Sequence, residues 1–339
     1  VSKSLSKKSL PEKSSPKEVA AAASLDAAAL PEEQAEFAEA VLAGLSAPRK
    51  AIPSRFLYDA RGSELFEEIT GLEEYYPTRT EIGLLERYAG EMAEAAGPAK
   101  TLVEFGSGSS RKTRLLIDAL DGLETYVPLD IEESCLAQAK AALEADYVSL
   151  EILPQVADFT KPVKLPEAAS GARLGFFSGS TIGNLDQREA RRFLTNAGRS
   201  LGPGAGFLIG ADLRKRPETL IRAYNDSRGV TAEFNLNLLA RINRELGGDF
   251  DVSAFRHEAI YDGRFGRVEM HLISLEDQTV TLLGQRLRFR EGETIHTENS
   301  HKYSLPEFRL LATDSGWRHE ALWVDDDALF SLHLLRLPG

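Results

Sequence analysis

The chain reads as an α/β protein with a mostly parallel, doubly wound sheet that is interrupted by a second, α+β unit. Three observations predict this. Between Leu102 and Gly210, short apolar runs alternate with segments of helical periodicity, the pattern of parallel strands joined by helices. The first run, Thr101-Leu-Val-Glu104-Phe-Gly106-Ser-Gly108-Ser-Ser-Arg-Lys112, ends in an acid and a two-glycine turn before a helix start. Without a Cβ, Gly106 and Gly108 let the backbone turn tightly and approach a ligand, at the place where such folds hold nucleotide-like cofactors. After Asp212 the alternation stops, and a helical stretch is followed by strands of alternating polarity, which imply an antiparallel sheet with one solvated face.

Taken in order, Val1–Ala23 is rich in Ser, Lys and Ala and almost free of large apolar groups after Leu10. It cannot bury enough surface to offset its ordering entropy, so a disordered tail over residues 1–25 is expected. It has no apolar core after its charges, as a secretory signal would, and its cations are Lys where organelle-targeting peptides favour Arg. Helical spacing follows over Glu32–Leu45, with Phe37, Val41, Leu42 and Leu45 on one face, then over Phe66–Ile69 and Glu81–Ala95. The strands expected next are Leu102–Phe105, Tyr126–Leu129, Leu150–Val156, Leu174–Ser178 and Gly206–Gly210. Helices over Lys112–Leu120, Ser134–Leu143 and Gln187–Ser200 separate them, and Gly202-Pro-Gly204 makes the turn into the fifth strand. Glu218–Leu246 reads as one helical stretch, and His257–Tyr303 as strands such as Val268–Ile273 and Gln285–Phe289. A helix at Leu305–Ser315 and strands at Trp317–Val324 and Ala328–Leu335 close the first sheet as an antiparallel edge hairpin. The expected organisation is a substrate-binding domain from residues 26–80 plus 213–302 and a cofactor-binding domain from 81–212 plus 303–339. A cleft between two such units is a natural place for a substrate.

Bulk properties narrow the function. The 339 residues, 42% apolar and 27% charged, are enough for one large or two ordinary domains with real cores. A net charge of −12 argues against a general nucleic-acid binder, which needs a basic face. No apolar run approaches the length of a membrane span. The single cysteine, Cys135, excludes disulfides within the chain and fits a small packing residue in a reducing, cytoplasmic setting. The six histidines show no metal-ligand spacing, so no metal is expected. With no heptad and no obvious apolar patch, the expected state is a monomer.

The glycine turn poses a choice between a dinucleotide and S-adenosylmethionine. A dinucleotide fingerprint needs a third Gly or Ala three positions after Gly108, where Arg111 stands. The acid ending the next strand, Asp130, is placed to bind ribose hydroxyls, which both cofactors carry. An acid followed by Gly-x-Gly without the third glycine is the pattern of class I methyltransferases. The chain also shows no hydride-transfer histidine or Tyr-x-x-x-Lys set.

Four further motifs align with that reading. They are Phe56-Leu-Tyr58-Asp-Ala-Arg-Gly-Ser-Glu-Leu-Phe66, Glu74-Tyr75-Tyr76-Pro-Thr-Arg79-Thr80-Glu81, Gly179-Ser-Thr-Ile-Gly-Asn184-Leu, and Arg222-Ala-Tyr224-Asn-Asp226 followed by Gly229-Val-Thr-Ala-x-Phe234-Asn235. With the glycine turn, they make the chain, from about Phe56 to its C-terminus, resemble the histidine Nα-methyltransferases of ergothioneine biosynthesis. The resemblance implies a class I, Rossmann-like methyltransferase core, S-adenosylmethionine as methyl donor, and three methylations of the L-histidine α-amine to give hercynine. It also implies cofactor roles. Gly106 approaches the cofactor through its backbone, Tyr75 and Lys112 hold the methionine end, Asp130 the ribose, and Asp158 and Phe159 lie beside the adenine. For the substrate it implies that Asn184 and Tyr224 bind the carboxylate, Gly179 faces the amine through its carbonyl, and Tyr58 lines the site. Glu298 and Ser300, in Thr297-Glu298-Asn-Ser300-His-Lys-Tyr303, read the imidazole and lie two apart on a strand, hence on one face. Met270 either lines the ring pocket or fills a gap in the core. Asn299 and His301 alternate to the other face. The resemblance leaves another aromatic amino acid, such as tyrosine or tryptophan, as the alternative substrate.

Methyl transfer is an in-line displacement that asks for positioning more than acid–base power, since orientation alone removes about 7–11 kcal/mol of a barrier. The sequence names no dedicated base. The amine is expected to be oriented by the Gly179 carbonyl or by a water near Tyr58, and the growing cationic head to meet the Tyr58 ring.

Overall fold

The computed structural model describes residues 31–107 and 111–339. The expected tail, Gly108 of the turn and the side chain of Cys135 lie outside what is described. In chain order the elements are α1 (Glu32–Ser46), β1 (Lys50–Ala51), α2 (Ala60–Thr70), α3 (Tyr76–Ala96), β2 (Thr101–Phe105), α4 (Arg111–Ala119), β3 (Thr125–Asp130), α5 (Glu133–Glu144), β4 (Glu151–Ile152), β5 (Gln155–Val156), β6 (Arg173–Phe177), α6 (Gln187–Leu201) and β7 (Gly206–Asp212). They continue as α7 (Pro217–Tyr224), α8 (Val230–Leu246), β8 (Phe255–Asp262), β9 (Arg267–Ser274), β10 (Gln278–Leu282), β11 (Gln285–Phe289), β12 (Thr294–His301), α9 (Leu305–Asp314), β13 (Arg318–Val324) and β14 (Phe330–Arg336).

The large sheet has the order β13-β14-β7-β6-β2-β3-β4, with β5 also on β3. From β4 to β7 its pairings are parallel, and β14 runs antiparallel between β7 and β13. The sequence reading of an antiparallel closing hairpin therefore holds, with its second strand placed inside the first. Strands buried on both faces, such as the fully covered Thr101–Phe105 and Gly206–Asp212, explain the unbroken apolar runs. Residues of α3 and α4 pack on one face of the sheet and residues of α6 and α9 on the other. The chain leaves β2 toward β3 on one side and returns through β6 on the other, so strand order reverses between β2 and β6. Ligands of open α/β sheets bind outside the carboxyl ends of the strands at such a reversal, here at Gly106 and Gly179.

A second sheet, β1-β12-β9-β8, packs with α1, α2, α7 and α8 around a separate core that draws on residues 37–76 and 220–295. Strand β9 alternates strictly between half-buried and buried positions, as its sequence predicts. The hairpin of β10 and β11 pairs only with itself, so Gln285–Phe289 stands apart from the sheet.

Two elements differ from the sequence reading. Leu150–Val156 is not one strand; Pro154, which has no N–H to give a ladder, splits it into β4 and β5. Glu218–Leu246 is two helices, because the Asp226 carboxylate accepts the Val230 and Thr231 N–H groups and caps the start of α8 after Gly229 at φ 76°. The break leaves Tyr224 at the end of α7 and points it, with Thr231 and Phe234 of α8, at one cavity.

The 3-10 turn Thr181–Asn184 lies against β12, and Gly183 makes the contact possible. A Cβ on Gly183 would stand 2.8 Å from the His301 carbonyl oxygen and 3.2 Å from its nitrogen, both backbone atoms. Gly183→Ala is therefore expected to lose about 1–3 kcal/mol in chemical denaturation. Gly83→Ala, in α3 with open space around it, is expected to gain about 0.4–1 kcal/mol. Equal behaviour of the two variants would contradict this packing.

Candidate active site

One cavity lies where the second sheet meets the carboxyl ends of β6 and β7. It is lined by Tyr58, Tyr75, Gly179, Asn184, Tyr224, Met270, Glu298 and Ser300, together with Phe66, Thr231 and Phe234. Each comes from a different local device. Tyr58 ends a 3-10 turn that precedes α2, whose first turn is capped by the Asp59 carboxylate on the Gly62 N–H. Tyr75 is the residue before α3, and Pro77 fixes that helix start. Asn184 ends the turn after Gly179. In β12 a bulge falls between His296 and Glu298, and beyond it Glu298 and Ser300 share the cavity face. Asn299, outside the cavity lining, meets the His296 ring at 2.9 Å.

One side of the cavity is aromatic. Tyr58 meets Phe66 and Phe234 edge to face with centroids 5.5 and 5.4 Å apart, and Tyr75 meets Tyr224 at 6.1 Å. The opposite end is polar. Asn184 Nδ2 donates to Glu298 Oε1 at 3.3 Å, and the Tyr224 hydroxyl donates to Ser300 Oγ at 2.7 Å. Beneath them sits Lys302, its side chain fully buried, with Nζ 2.9 Å from the Tyr224 hydroxyl, 2.7 Å from Ser300 Oγ and 2.8 Å from Asp212 Oδ2. Asp212 also accepts from the Tyr76 hydroxyl at 2.7 Å and pairs with Lys215.

Burial sets the charge states. It pushes the Glu298 carboxyl up to about 7, against the opposing pull of Lys302 and the Tyr58 hydroxyl. It also raises the phenols of Tyr58, Tyr75 and Tyr224 well above their ordinary range, with the Glu298 charge adding to the effect. These phenols stay protonated and serve as donors. Burial opposes ionisation of Asp212, but Lys302 and Lys215 overcome it and hold the carboxyl below its usual value.

The expected cofactor residues lie along the strand ends of the large sheet. Gly106 has φ 78° and its N–H donates to the Leu129 carbonyl, so the turn needs a glycine. Phe159 packs on Phe177 and lies under Gly106. Asp130 ends β3, its carboxylate accepts the Glu132 N–H at 3.1 Å, and burial raises its carboxyl. Lys112 Nζ pairs with the fully buried Glu81 at 2.8 Å, and the same Glu81 accepts the Gly179 N–H. Asp158 is turned to its own loop: burial opposes its ionisation, but Thr160 and Lys161 hold it below the usual range. Gly106, Lys112, Asp130, Asp158 and Phe159 are thus outside the cavity lining, and Lys112 reaches it through Glu81 and Gly179.

These residues fit an adenosyl sulfonium amino acid. Ser107 Oγ is buried beside Gly106 without a hydrogen-bond partner among the described residues. An acid at the end of β3 suits a ribose diol, and a half-buried lysine suits a carboxylate. Glu104, the acid opening the turn, is different: it accepts from Thr113 at 2.8 Å and from Tyr126, so it ties α4 to β3.

Sequence reasoning missed Lys302, Asp212, Glu81, Phe66 and Phe234 as parts of the site. A signal for Lys302 was present, since Glu298, Ser300 and Lys302 follow the period of a strand. Glu81 and the two phenylalanines stood inside the quoted motifs.

Comparisons with known proteins agree with this geometry. Residues 37–337 match the family model described as "Histidine-specific methyltransferase, SAM-dependent". A histidine N-alpha-methyltransferase of Mycolicibacterium smegmatis is 42% identical over 300 residues, covering 87% of this chain and 92% of that protein. One from Mycobacterium tuberculosis is 41% identical with the same coverage. Ergothioneine biosynthesis protein 1 of Neurospora crassa is 34% identical over 85% of this chain, which spans 33% of that longer protein.

The raised Glu298 carboxyl has a pH signature. In the window from about 4.5 to about 7 the folded state keeps a proton that the unfolded state releases, so this group makes stability fall as pH rises. Glu298→Gln removes that dependence. Its stability relative to the parent should grow across the window, by at most about 3 kcal/mol, and then level off. Glu104, pushed to about 7 as well, is present in both proteins and cancels. Denaturation midpoints that keep a constant offset from pH 5 to pH 8 would rule this out.

Proposed function

The chain belongs to the family of histidine-specific, S-adenosylmethionine-dependent methyltransferases, and we propose that it methylates the α-amine of L-histidine three times, giving hercynine, in ergothioneine biosynthesis. The observation that supports this substrate best is the pairing of Glu298 and Ser300 at the polar end of an otherwise aromatic cavity. A ring with one N–H and one bare nitrogen needs an acceptor and a donor, and these two side chains supply them.

In this reading the residues divide the work as follows. Asn184 and Tyr224 bind the substrate carboxylate with their N–H and O–H groups. Glu298 accepts from the imidazole and Ser300 completes its recognition, while Met270 fills the space beside the ring. The cofactor supplies a methyl group on a sulfonium sulfur. Tyr75, Gly106, Lys112, Asp130, Asp158 and Phe159 hold it, with Lys112 fixed by Glu81. The amine lone pair would take that methyl, the electrons of the C–S bond passing to sulfur, so the part left to this chain is to hold a neutral amine in line with it. The proton of the resulting ammonium leaves to solvent before the next round.

A general base is not required of the protein. The phenols of Tyr58, Tyr75 and Tyr224 are held protonated, so none removes a proton. Gly179, its N–H engaged by Glu81, leaves its carbonyl to orient the amine. The growing cation is received by aromatic faces, Tyr58 with Phe66 and Phe234, each contact worth about 0.5–2 kcal/mol. Of the substrate-binding domain proposed over residues 26–80 and 213–302, residues 26–30 lie outside the described residues, and the rest of the described chain acts as the methyltransferase domain. A monomer in the reducing cytoplasm fits the single cysteine, and among the described residues no helix is long and apolar enough to cross a membrane.

Mass spectrometry of L-histidine incubated with the protein and S-adenosylmethionine should show increments of one, two and three methyl groups. No increment with histidine, but one with tyrosine or tryptophan, would transfer the activity to another aromatic amino acid. Glu298→Ala should weaken histidine binding by at least about tenfold and relax selection among aromatic amino acids, because the ring N–H loses its buried acceptor. Asn184→Ala should raise the KM for histidine and leave S-adenosylmethionine affinity in place; equal loss of both would remove it from the substrate site.

A further inference from the structure

Resting on the histidine reading, we propose that Lys302 is a specificity-determining positioning residue that turns Tyr224 and Ser300 into hydrogen-bond donors toward the substrate. Lys302 Nζ carries three N–H groups and has three acceptors around it, Asp212 Oδ2 at 2.8 Å, the Tyr224 hydroxyl at 2.9 Å and Ser300 Oγ at 2.7 Å. Asp212 anchors the ammonium from behind, at the end of β7, and the side chains of both are fully buried. A lysine has no acceptor, so each hydroxyl must present a lone pair to it. Ser300 Oγ also receives the Tyr224 proton at 2.7 Å, which fills its acceptor capacity and leaves its own proton to point into the cavity.

Substrate binding needs one rearrangement. The Tyr224 O–H turns from Ser300 to the substrate carboxylate, while Lys302 continues to occupy one lone pair on each oxygen and Ser300 regains its other. Both hydroxyls then face the ligand as donors, one to a carboxylate and one to a bare ring nitrogen. Glu298, on the same strand face, takes the remaining ring N–H. The three residues Glu298, Ser300 and Lys302 thus select a neutral imidazole, with one N–H and one acceptor nitrogen, on an amino acid whose carboxylate is ionised. The ammonium also stands 4.8 Å from the Tyr224 ring centroid, a second contact that holds the ring. Replacing Lys302 leaves Asp212 still paired with Lys215 and hydrogen-bonded by Tyr76, so a neutral substitution does not strand a lone buried charge.

The test is calorimetric binding to the protein loaded with S-adenosylhomocysteine. The ligands are L-histidine, histamine, which lacks the carboxylate, and the two pyrrolylalanine isomers, whose rings keep an N–H and lack an acceptor nitrogen. The parent protein should bind histidine at least about tenfold more tightly than each of the others. Lys302→Met should weaken histidine binding by about tenfold or more, shrink both discriminations by about threefold or more, and leave S-adenosylhomocysteine affinity within about twofold. Its KM for histidine should rise much more than its kcat falls. Lys302→Gln, which keeps a donor, should fall between. The added cost of Ser300→Ala should be smaller in Lys302→Met than in the parent, since the two act as a unit.

Unchanged discrimination in Lys302→Met, or parallel loss of cofactor product and histidine, would overturn the inference. Should that variant not fold, the parent alone still decides: a pyrrolylalanine bound as tightly as histidine refutes donation from Ser300 to a bare ring nitrogen. A parent protein that neither binds nor methylates histidine would overturn the functional reading as well, a result distinct from these.

Discussion

The ion pair between Asp212 and Lys302 joins the two halves of this molecule. Asp212 ends the central strand β7 of the large sheet, and Lys302 follows β12 of the second sheet, so the contact crosses from one sheet to the other. The backbone repeats the crossing beside it, with the Tyr303 N–H donating to the Asp212 carbonyl and the Arg214 N–H donating to the Tyr303 carbonyl. Two buried charges recover the cost of leaving water only when their remaining hydrogen-bonding groups are also satisfied. Here they are satisfied by cavity residues or their neighbours: Tyr76 and Lys215 on Asp212, Tyr224 and Ser300 on Lys302. The interaction that fixes the two sheets therefore also fixes the polar end of the cavity. A shift between the sheets would break hydrogen bonds around two fully buried charges.

Glu81 does the corresponding work on the cofactor side. It reaches from α3 to the end of β6, takes the Gly179 N–H with both carboxylate oxygens, and holds Lys112 of α4. Gly210 makes room for it, since a Cβ there would lie 2.2 Å from Glu81 Oε1. The peptide at Gly179 is thus held from its N–H side, and its φ of 73° is one that a glycine adopts freely. Both buried acids act from the second rank. Neither lines the cavity, yet one sets the peptide expected to face the amine and the other sets the hydroxyls expected to face the ring and carboxylate.

The fold was largely legible in the sequence because parallel strands buried on both faces leave unbroken apolar runs, as in Leu102–Phe105 and Gly206–Gly210. What escaped was punctuation. Pro154 inside an apolar run and Asp226 before Gly229 end elements through hydrogen bonding, which apolar periodicity does not register. The cavity residues were legible as motifs, because their chemistry shows in residue type. The strand period puts Lys302 on the face of Glu298 and Ser300, but its role was not legible, since a lysine in a sequence reads as a solvated charge until a distant buried carboxylate is known to meet it. Long-range charge pairing is set by topology, here by the return of β12 to the end of β7, and no local pattern encodes it.

The placement of charge also bears on how one pocket would serve the three successive methylations proposed for it. The nucleophile must be a neutral amine, while the final product carries a permanent cation. A free carboxylate beside the amine would hold it protonated and would retain the product. Asp212 and Glu81, the buried acids nearest the cavity, are each neutralised by lysines. Glu298 is the exception, and it is drawn toward Asn184 and toward neutrality by burial rather than toward the amine. The wall left for the changing head group is made of Tyr58, Phe66, Phe234 and Tyr75. Aromatic faces attract a cation without accepting a proton from it, so they suit the quaternary product and leave the amine free to lose its proton between rounds. On this argument the pairing of the buried acids is a condition of the chemistry as much as of the fold.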